Sequence, residues 1–316
     1  MAYRHPGAGF ALWRRTCERW RGKSLVGGIV MEKVQIAVIG TGLMGSAMAR
    51  RMAGQGLDVH AWDRSVDKLD ALTAVGVTAA ASPEEAVAGA DVVITMVPTG
   101  DVVASLADRF LPAMREDAVW LQMSTVGGAW ADRLVRQAAE AGRPMLDCPV
   151  SGSSEPAAHG TLTLIVSGAQ DALERIRPVL DVLGTRTLYV GAAGRASRVK
   201  LIVNSWMAAS VVAMADTLLA CRQLDVDPAS VLQVLDGGPL SMPYAMQKAE
   251  EIQAHSYPPG FPLALALKDL TLLADERDGP SRLGSLLRQA LQQVVDAGHG
   301  REDIAAVAEQ LGKPLA

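Results

Sequence analysis

The segment Val34-Gln35-Ile36-Ala37-Val38-Ile39-Gly40-Thr41-Gly42-Leu43-Met44-Gly45 decides the fold. Its first half is mostly apolar and β-branched, which predicts a short buried strand. Its second half reads Gly-x-Gly-x-x-Gly and opens a helical pattern, so the glycines permit a tight turn, close approach of a pyrophosphate and tight helix–strand packing. The N–H groups at the start of such a helix attract anions. The segment therefore predicts a dinucleotide site at Gly40, Gly42, Leu43, Met44 and Gly45.

An acidic residue follows the glycine loop at the distance expected for a ribose contact. Asp63 ends the next predicted strand, 57–63, and lies 23 residues after Gly40. An acid about 20 residues after the first glycine accepts hydrogen bonds from ribose hydroxyls. Its charge would repel a 2′-phosphate, which favours NAD(H). Arg64 and Ser65 follow directly and offer a guanidinium and a hydroxyl to that phosphate, so NADP(H) remains possible.

Strand and helix patterns alternate as far as Gly194, and only helical patterns follow. This alternation predicts an α/β fold, a Rossmann-type doubly wound and mainly parallel sheet, followed by an all-α C-terminal domain joined by a long central helix. The predicted domains are an extension at 1–31, expected to be disordered, a dinucleotide-binding domain at 32–194, and an all-helical substrate and oligomerisation domain at 195–316. Further strands are predicted at 90–97, 119–123, 144–148, 161–166 and 188–190. Helices of the second domain are predicted at 196–223, 228–235, 245–253, 263–278 and 284–296.

Composition excludes several functional classes. The chain has 316 residues, is 49% hydrophobic and 20% charged, and carries a net charge of −4. These values are typical of an ordinary globular protein and do not indicate a nucleic-acid surface. Cys17, Cys148 and Cys221 show no metal or redox spacing, which predicts no metal site and a reducing, cytoplasmic location.

Two segments raise the question of targeting or membrane insertion. Arg14-Arg15 resembles a twin-arginine signal, but the only apolar stretch after it, 25–30, is short and contains two glycines. A mitochondrial presequence is disfavoured by Glu18. The run 199–220 is long enough to span a bilayer, but it contains Lys200, Asn204 and Asp216. It is therefore interpreted as a buried helix of a soluble protein without a membrane partner.

Lys200 and Asn204 are the candidate catalytic residues. They lie four residues apart in the apolar run, so both project from one helix face. Burying an ammonium group costs roughly several kcal/mol unless a partner or a chemical task accompanies it. Together with a dinucleotide loop, a desolvated lysine indicates redox chemistry on a nicotinamide cofactor, with Lys200 as general acid and base.

Hydroxyl-rich loops follow two consecutive predicted strands. Ser124 lies in the loop after 119–123, and Ser151, Gly152 and Ser153 lie in the loop 148–154 after the next strand. Ligands of open α/β sheets bind beyond the carboxyl ends of the strands. Hydroxyls and loop N–H groups suit a carboxylate, so these loops predict a site for a small carboxylate substrate.

Taken together, these motifs resemble those of the β-hydroxyacid dehydrogenase family, which includes the 3-hydroxyisobutyrate dehydrogenases. The resemblance covers roughly residues 33–312. It rests on Ile39–Met48, Met123-Ser-Thr-Val126, Pro149-Val-Ser-Gly152, Lys200-x-x-x-Asn204 and Lys268-Asp269. Within the family, the sequence looks most like the glyoxylate/succinic semialdehyde reductase branch. The segments that suggest this are Ser151–Gly160, Asp181–Arg186, Lys200–Asn204 and Ser256–Leu263. That branch usually has Asn in place of Asp63, which weakens the carry-over of its NADPH preference.

The resemblance implies roles for matching residues of this chain. Lys200 is implied to be the general acid/base, and Asn204 to orient the lysine or the substrate. Ser124 and the loop Ser151–Ser153 are implied to hold the substrate carboxylate. Phe261 and Asp269 are implied to line the substrate pocket. The residues implied to contact the cofactor are Val97, Pro98, Val102, Thr125 and Lys268. Family members usually associate through the helical domain, which implies a homodimer or homotetramer.

Two other functions share this architecture. An imine reductase is the nearest alternative, but those enzymes typically carry Asp or Tyr in place of the lysine at position 200. A non-catalytic nucleotide-binding reader is the other alternative, and it would lack Lys200 and carry an added binding module. The sequence therefore favours an oxidoreductase that transfers hydride between NAD(P) and a small β-hydroxyacid or semialdehyde.

Overall fold

The structure is a computed structural model that describes residues 34–277 and 279–312. The predicted extension at 1–31, its arginine pair and Cys17 lie outside these residues. The described chain divides into two compact units. The first comprises 34–124 and Asp132–Ala196, and the second comprises Thr125–Ala131 and 197–312.

The described part of the first unit contains a nine-stranded sheet. The order is β3-β2-β1-β4-β5-β6-β8-β7, with β9 beside β8. Neighbours from β1 to β6 run parallel, whereas β8 is antiparallel to β6 and β7 and parallel to β9. This confirms the predicted mainly parallel Rossmann-type sheet. The strands are β1 Gln35–Ile39, β2 Asp58–Trp62, β3 Thr78–Ala79, β4 Val92–Thr95, β5 Val119–Gln122, β6 Met145–Asp147, β7 Val150–Ser151, β8 Leu162–Gly168 and β9 Gly184–Tyr189.

Helices connect the strands of this sheet. The central strands β1, β4 and β5 are almost wholly buried and show no polar alternation, as expected for parallel strands covered on both faces. Met48 and Met52 of the first helix pack into the same core as Ile36 and Val38. The helices are α1 Leu43–Gly54, α2 Asp67–Thr73, α3 Pro83–Val87, α4 Gly100–Phe110, α5 Gly128–Glu140, α6 Ser154–His159 and α7 Gln170–Leu183.

The named secondary-structure elements of the second unit are all helices within the described residues, as predicted. One long helix, α8, begins at Arg195 and ends at Gln223. Its length and composition would allow it to cross a membrane, but the core helices of soluble proteins meet the same two criteria. Its buried residues Ala208, Val211, Ala215 and Leu218 belong to the core of this unit. The other helices are α9 Pro228–Leu235, α10 Pro243–Gln253, α11 Leu263–Asp275 and α12 Arg282–Val294, followed by short turns at Val295–His299 and Ile304–Glu309.

The structure differs from the sequence prediction most clearly at three places, and other element bounds shift by up to three residues. The segment predicted as a loop at 148–154 contains β7 and the start of α6, because Val150 and Ser151 pair antiparallel with β8. Strand β9 begins at Gly184 rather than at Leu188. Strand β3 was not predicted, since two residues carry too little periodicity to be recognised.

Candidate functional site

The glycine loop between β1 and α1 combines two packed glycines with an open one. Gly40 has φ +99°, and a Cβ there would lie 2.4 Å from the Met96 carbonyl oxygen. A Cβ at Gly45 would lie 2.0 Å from the Gly40 oxygen. A Cβ at Gly42 would meet no heavy atom within 4 Å. Gly40 and Gly45 are therefore required by the protein itself, whereas Gly42 leaves free space at the N-terminus of α1.

The N-terminus of α1 fits the pyrophosphate of a dinucleotide. Gly42 is the N-cap and offers no side-chain bond, and the first helical hydrogen bond runs from Ser46 N–H to the Gly42 oxygen. The preceding N–H groups have no partner inside the helix. They belong to predicted cofactor residues, Leu43, Met44 and Gly45, and Leu43 is exposed. These groups are therefore available to an anion.

Asp63 lies beside the glycine loop, as predicted. Its carboxylate accepts hydrogen bonds from Thr41 N–H at 2.8 Å and Ser65 N–H at 2.9 Å, and Lys68 Nζ lies 3.3 Å away. Burial acts to raise the pKa of Asp63, but the bonds from Ser65, Thr41 and Lys68 outweigh it and lower the pKa. Arg64 and Ser65 are exposed at the same edge. Sequence reasoning missed Lys68, although it lies only five residues after Asp63.

A buried polar network joins the loops after β4 and β5. Ser124 Oγ accepts from Val97 N–H at 2.8 Å, and Gln122 binds both the N–H and the carbonyl of Ser124 at 2.7 and 2.9 Å. Ser124 is 1% exposed, and its hydroxyl holds the backbone of the Val97 loop. The contact of this hydroxyl with a substrate stays a prediction. Pro98 and Val102, two predicted cofactor residues, are exposed just beyond Val97. The sequence analysis did not identify Gln122, because it is a single polar residue within a buried strand.

The predicted substrate loop Ser151–Ser153 adjoins α6. Ser151 ends β7, and Ser153 is the N-cap of α6 but makes no capping bond with its side chain. Gly152 has φ +131°, and a Cβ there would lie 2.8 Å from Leu162 Cδ2. The backbone therefore requires glycine at this position and places the two hydroxyls on either side of it.

The second unit brings together four of its predicted site residues around Lys200. Lys200 is only 8% exposed, and Asn204 and Asp269 are also buried. Asn204 Nδ2 donates to Asp269 Oδ2 at 2.5 Å. Lys268 Nζ lies 3.1 Å from Asp269 Oδ1 and donates to the Thr125 carbonyl at 2.6 Å. Side chains of α8 and α11 thus form one cluster of charged and polar groups in the second unit.

The electrostatics of this cluster suit proton transfer. Burial lowers the pKa of Lys200 to about 8, because desolvation disfavours the ammonium, although Asp269 partly offsets this. Burial likewise raises the pKa of Asp269, against the opposing effect of Lys268 and Asn204. A lysine with a pKa near the working pH can both donate and accept a proton.

Phe261 occupies the loop before α11. Its backbone N–H donates to Asp303 Oδ2 at 2.8 Å, and its half-buried ring packs against the core of the second unit. Its position relative to the substrate stays a prediction, as do the roles of the other site residues.

Comparisons with known proteins agree with these features. Residues 35–191 match the model of the NAD binding domain of 6-phosphogluconate dehydrogenase. Residues 194–311 match the NAD-binding model of NADP-dependent 3-hydroxyisobutyrate dehydrogenase.

Similar proteins align over nearly the whole chain. The 3-sulfolactaldehyde reductase of Escherichia coli (strain K12) is 31% identical over 87% of this chain and 95% of its own. Glyoxylate/succinic semialdehyde reductase 2 of Arabidopsis thaliana, a chloroplastic protein, is 28% identical over 88% of this chain and 79% of its own. The structure of Mycobacterium tuberculosis 3-hydroxyisobutyrate dehydrogenase with L-serine matches with a TM-score of 0.81 and 30% identity, over 89% of this chain and 100% of that one. The chain therefore belongs to the β-hydroxyacid dehydrogenase family of NAD(P)-dependent oxidoreductases.

Proposed function

We propose that this enzyme reduces short aldehyde or keto acids to hydroxyacids, and catalyses the reverse oxidation, with Lys200 as the general acid and base. The observation that carries this proposal is the buried Lys200 beside Asn204 and Asp269, with its pKa lowered to about 8. The nicotinamide cofactor supplies or accepts the hydride when it is bound. Lys200 gives a proton to the carbonyl oxygen during reduction, and the neutral amine takes the hydroxyl proton during oxidation.

Asn204, one helical turn after Lys200, is the candidate residue for binding the substrate beside the amine. The Nδ2 group of Asn204 donates its hydrogen bond to Asp269. The Oδ1 atom of Asn204 is buried and accepts no hydrogen bond from the described residues. A buried acceptor without a partner suits the hydroxyl of a substrate. The substrate carboxylate is assigned to the loop Ser151–Ser153.

A substrate panel tests the proposed function. It contains glyoxylate, succinic semialdehyde, methylmalonate semialdehyde, tartronate semialdehyde and cyclic imines, each with NADH and NADPH. Turnover of at least one aldehyde acid in preference to the imines is expected, because an ammonium can protonate a developing alkoxide. Turnover of the imines alone would favour the imine reductase alternative.

The pH dependence of the two directions should be opposite. Reduction requires the ammonium form of Lys200, so its kcat/KM should fall as the pH rises through about 8. Oxidation requires the neutral amine, so its kcat/KM should rise over the same interval. Profiles measured from pH 6 to 10 in both directions check this. Profiles that move in the same direction near pH 8 would contradict the assignment.

Cofactor choice is proposed to favour NAD(H) through Asp63. Like charges about 4 Å apart repel by about 1–4 kcal/mol, so Asp63→Asn should raise the NADPH/NADH ratio of kcat/KM by about tenfold. The control is Asp67→Asn, which removes the same charge from an exposed position on α2. An unchanged ratio in Asp63→Asn would remove Asp63 from cofactor selection, and Lys68, Arg64 and Ser65 would then accommodate either cofactor.

Association of two or four copies through the second unit is also proposed. Helix α8 carries large apolar side chains that are well exposed, namely Ile202 at 61% and Trp206 at 68%. Exposed apolar patches of this kind mark interaction surfaces. Sedimentation of Trp206→Glu beside the wild type tests this, since a smaller mass is expected for the variant. A cytoplasmic location stays a prediction.

A further inference from the structure

A buried ion pair lies in the second unit outside the Lys200 cluster. Lys248 on α10 is 3% exposed, and Asp303 before the last turn is fully buried. Lys248 Nζ lies 2.9 Å from Asp303 Oδ1 and 2.7 Å from Glu251 Oε1. The proposed reaction uses neither residue.

The second oxygen of Asp303 holds the loop that carries Phe261. Oδ2 accepts from Gly260 N–H at 3.1 Å and from Phe261 N–H at 2.8 Å, whereas Oδ1 accepts from Ala305 N–H at 3.1 Å. Ile304 N–H donates to the Phe261 carbonyl at 3.0 Å. The backbone of Phe261 is therefore fixed at both its donor and its acceptor by two consecutive residues.

Stability alone is a poor explanation for this arrangement. Desolvation of two charges consumes most of their mutual attraction, so a buried ion pair is often no more stabilising than apolar residues of similar size. Directional bonds from a charged acceptor, however, specify geometry. Lys248 binds Oδ1, which leaves Oδ2 directed at the two loop N–H groups.

We propose that Asp303 and Lys248 are positioning residues that hold Phe261 in the substrate pocket and thereby set the discrimination between short and long aldehyde acids. This inference rests on the proposed function and on the prediction that Phe261 lines the substrate pocket. Asp303 binds the loop directly, and Lys248 orients the carboxylate. A shift of the Phe261 ring changes the length of substrate that the pocket accepts.

The test compares Asp303→Asn, Lys248→Met and Lys248→Arg in the full-length enzyme. The measured quantity is the kcat/KM ratio of succinic semialdehyde to glyoxylate. Asp303→Asn and Lys248→Met should change this ratio by about tenfold, mainly through KM, because displacements near 1 Å can cost up to 10²-fold. Lys248→Arg keeps the positive charge, so its substrate ratio should stay close to that of the wild type. The Kd of NADH should stay unchanged in all three.

Asp227→Asn is the matched control, because it removes the same charge from the N-cap of α9 in the same unit. Because Asn caps helices about as well as Asp, this variant should change neither Tm appreciably nor the substrate ratio. If Asp303→Asn does not fold, Lys248→Met decides the question, and an unchanged ratio there overturns the proposal.

Phe261→Leu separates this proposal from the proposed function. If Phe261→Leu changes the ratio and the ion-pair variants do not, the positioning role is overturned. If Phe261→Leu leaves the ratio unchanged, Phe261 does not face the substrate, and the positioning inference falls while the dehydrogenase activity stands. Wild-type enzyme inactive on the whole substrate panel would instead overturn the proposed function.

Discussion

Lys200→Met should lower kcat/KM for reduction by roughly 10²–10⁴-fold, the usual contribution of a positioned general acid. Methionine resembles lysine in length and apolar volume but cannot carry a proton. The loss should appear in kcat as well as in kcat/KM, because the proton is transferred in the transition state. Steady-state kinetics with the preferred aldehyde acid measure it. NADH binding, followed by fluorescence, should remain close to that of the wild type.

The same substitution should make the folded protein more stable at neutral pH. The pKa of Lys200 falls from 10.5 to about 8 on folding, so below pH 8 the ammonium is charged in both states and its burial is unfavourable. That difference corresponds to a destabilisation on the order of 3 kcal/mol at pH 7. As the pH rises from about 8 to 10.5, the folded state releases the proton first and the penalty disappears. The stability gain of Lys200→Met should therefore shrink over this range.

A lower kcat/KM together with a higher stability of Lys200→Met would show that the variant has lost a catalytic group and not its fold. Arg222→Met is the control, since it removes a positive charge from an exposed site near the end of the same helix. It should change neither kcat nor Tm appreciably. Near-normal turnover by Lys200→Met would refute the assignment of the general acid. A lower Tm would show that the buried ammonium stabilises the unit instead.

Local patterns were sufficient to predict the fold because they are strong where the fold is decided. The strand and glycine loop at 34–45 carry apolar periodicity and three spaced glycines, and the strand lies inside the sheet between β2 and β4. The five helices α8 to α12 of the second unit were likewise predictable from their helical patterns. Short elements such as β3 and β7 form only because a neighbouring strand offers hydrogen bonds, and a local pattern does not contain that information.

The site was less predictable because hydrogen bonds between distant residues decide it. The sequence indicated that Asp63 adjoins the glycine loop, but not that its carboxylate already accepts from Thr41 and Ser65 and pairs with Lys68. Ser124 was interpreted as a substrate residue, and the sequence did not show that its hydroxyl also accepts a hydrogen bond from Val97 N–H. Local sequence does not show whether a hydroxyl is already satisfied within the protein. Partners separated by some 27 residues become visible only in three dimensions.

Alanine substitutions in the glycine loop should separate folding from cofactor binding. Gly45→Ala places a methyl group 2.0 Å from the Gly40 oxygen, which only a backbone movement can relieve. Overpacking of this kind costs about 1–3 kcal/mol or more, so Gly45→Ala should lower Tm strongly or prevent folding. Gly42→Ala meets no protein atom within 4 Å and has an ordinary φ of −67°, so its Tm should be close to that of the wild type.

The methyl group of Gly42→Ala nevertheless occupies the space through which a pyrophosphate would approach α1. A clash of about 1–3 kcal/mol corresponds to a roughly 10–100-fold weaker affinity, so the Kd of NADH should rise by that factor in a well-folded protein. Gly54→Ala, at the other end of α1 and equally unobstructed, is the control and should leave the Kd unchanged. Wild-type affinity in Gly42→Ala would mean that the pyrophosphate does not contact this helix N-terminus. Because the Lys200 substitution acts on the second unit and these act on the first, cofactor binding and proton transfer can be tested independently.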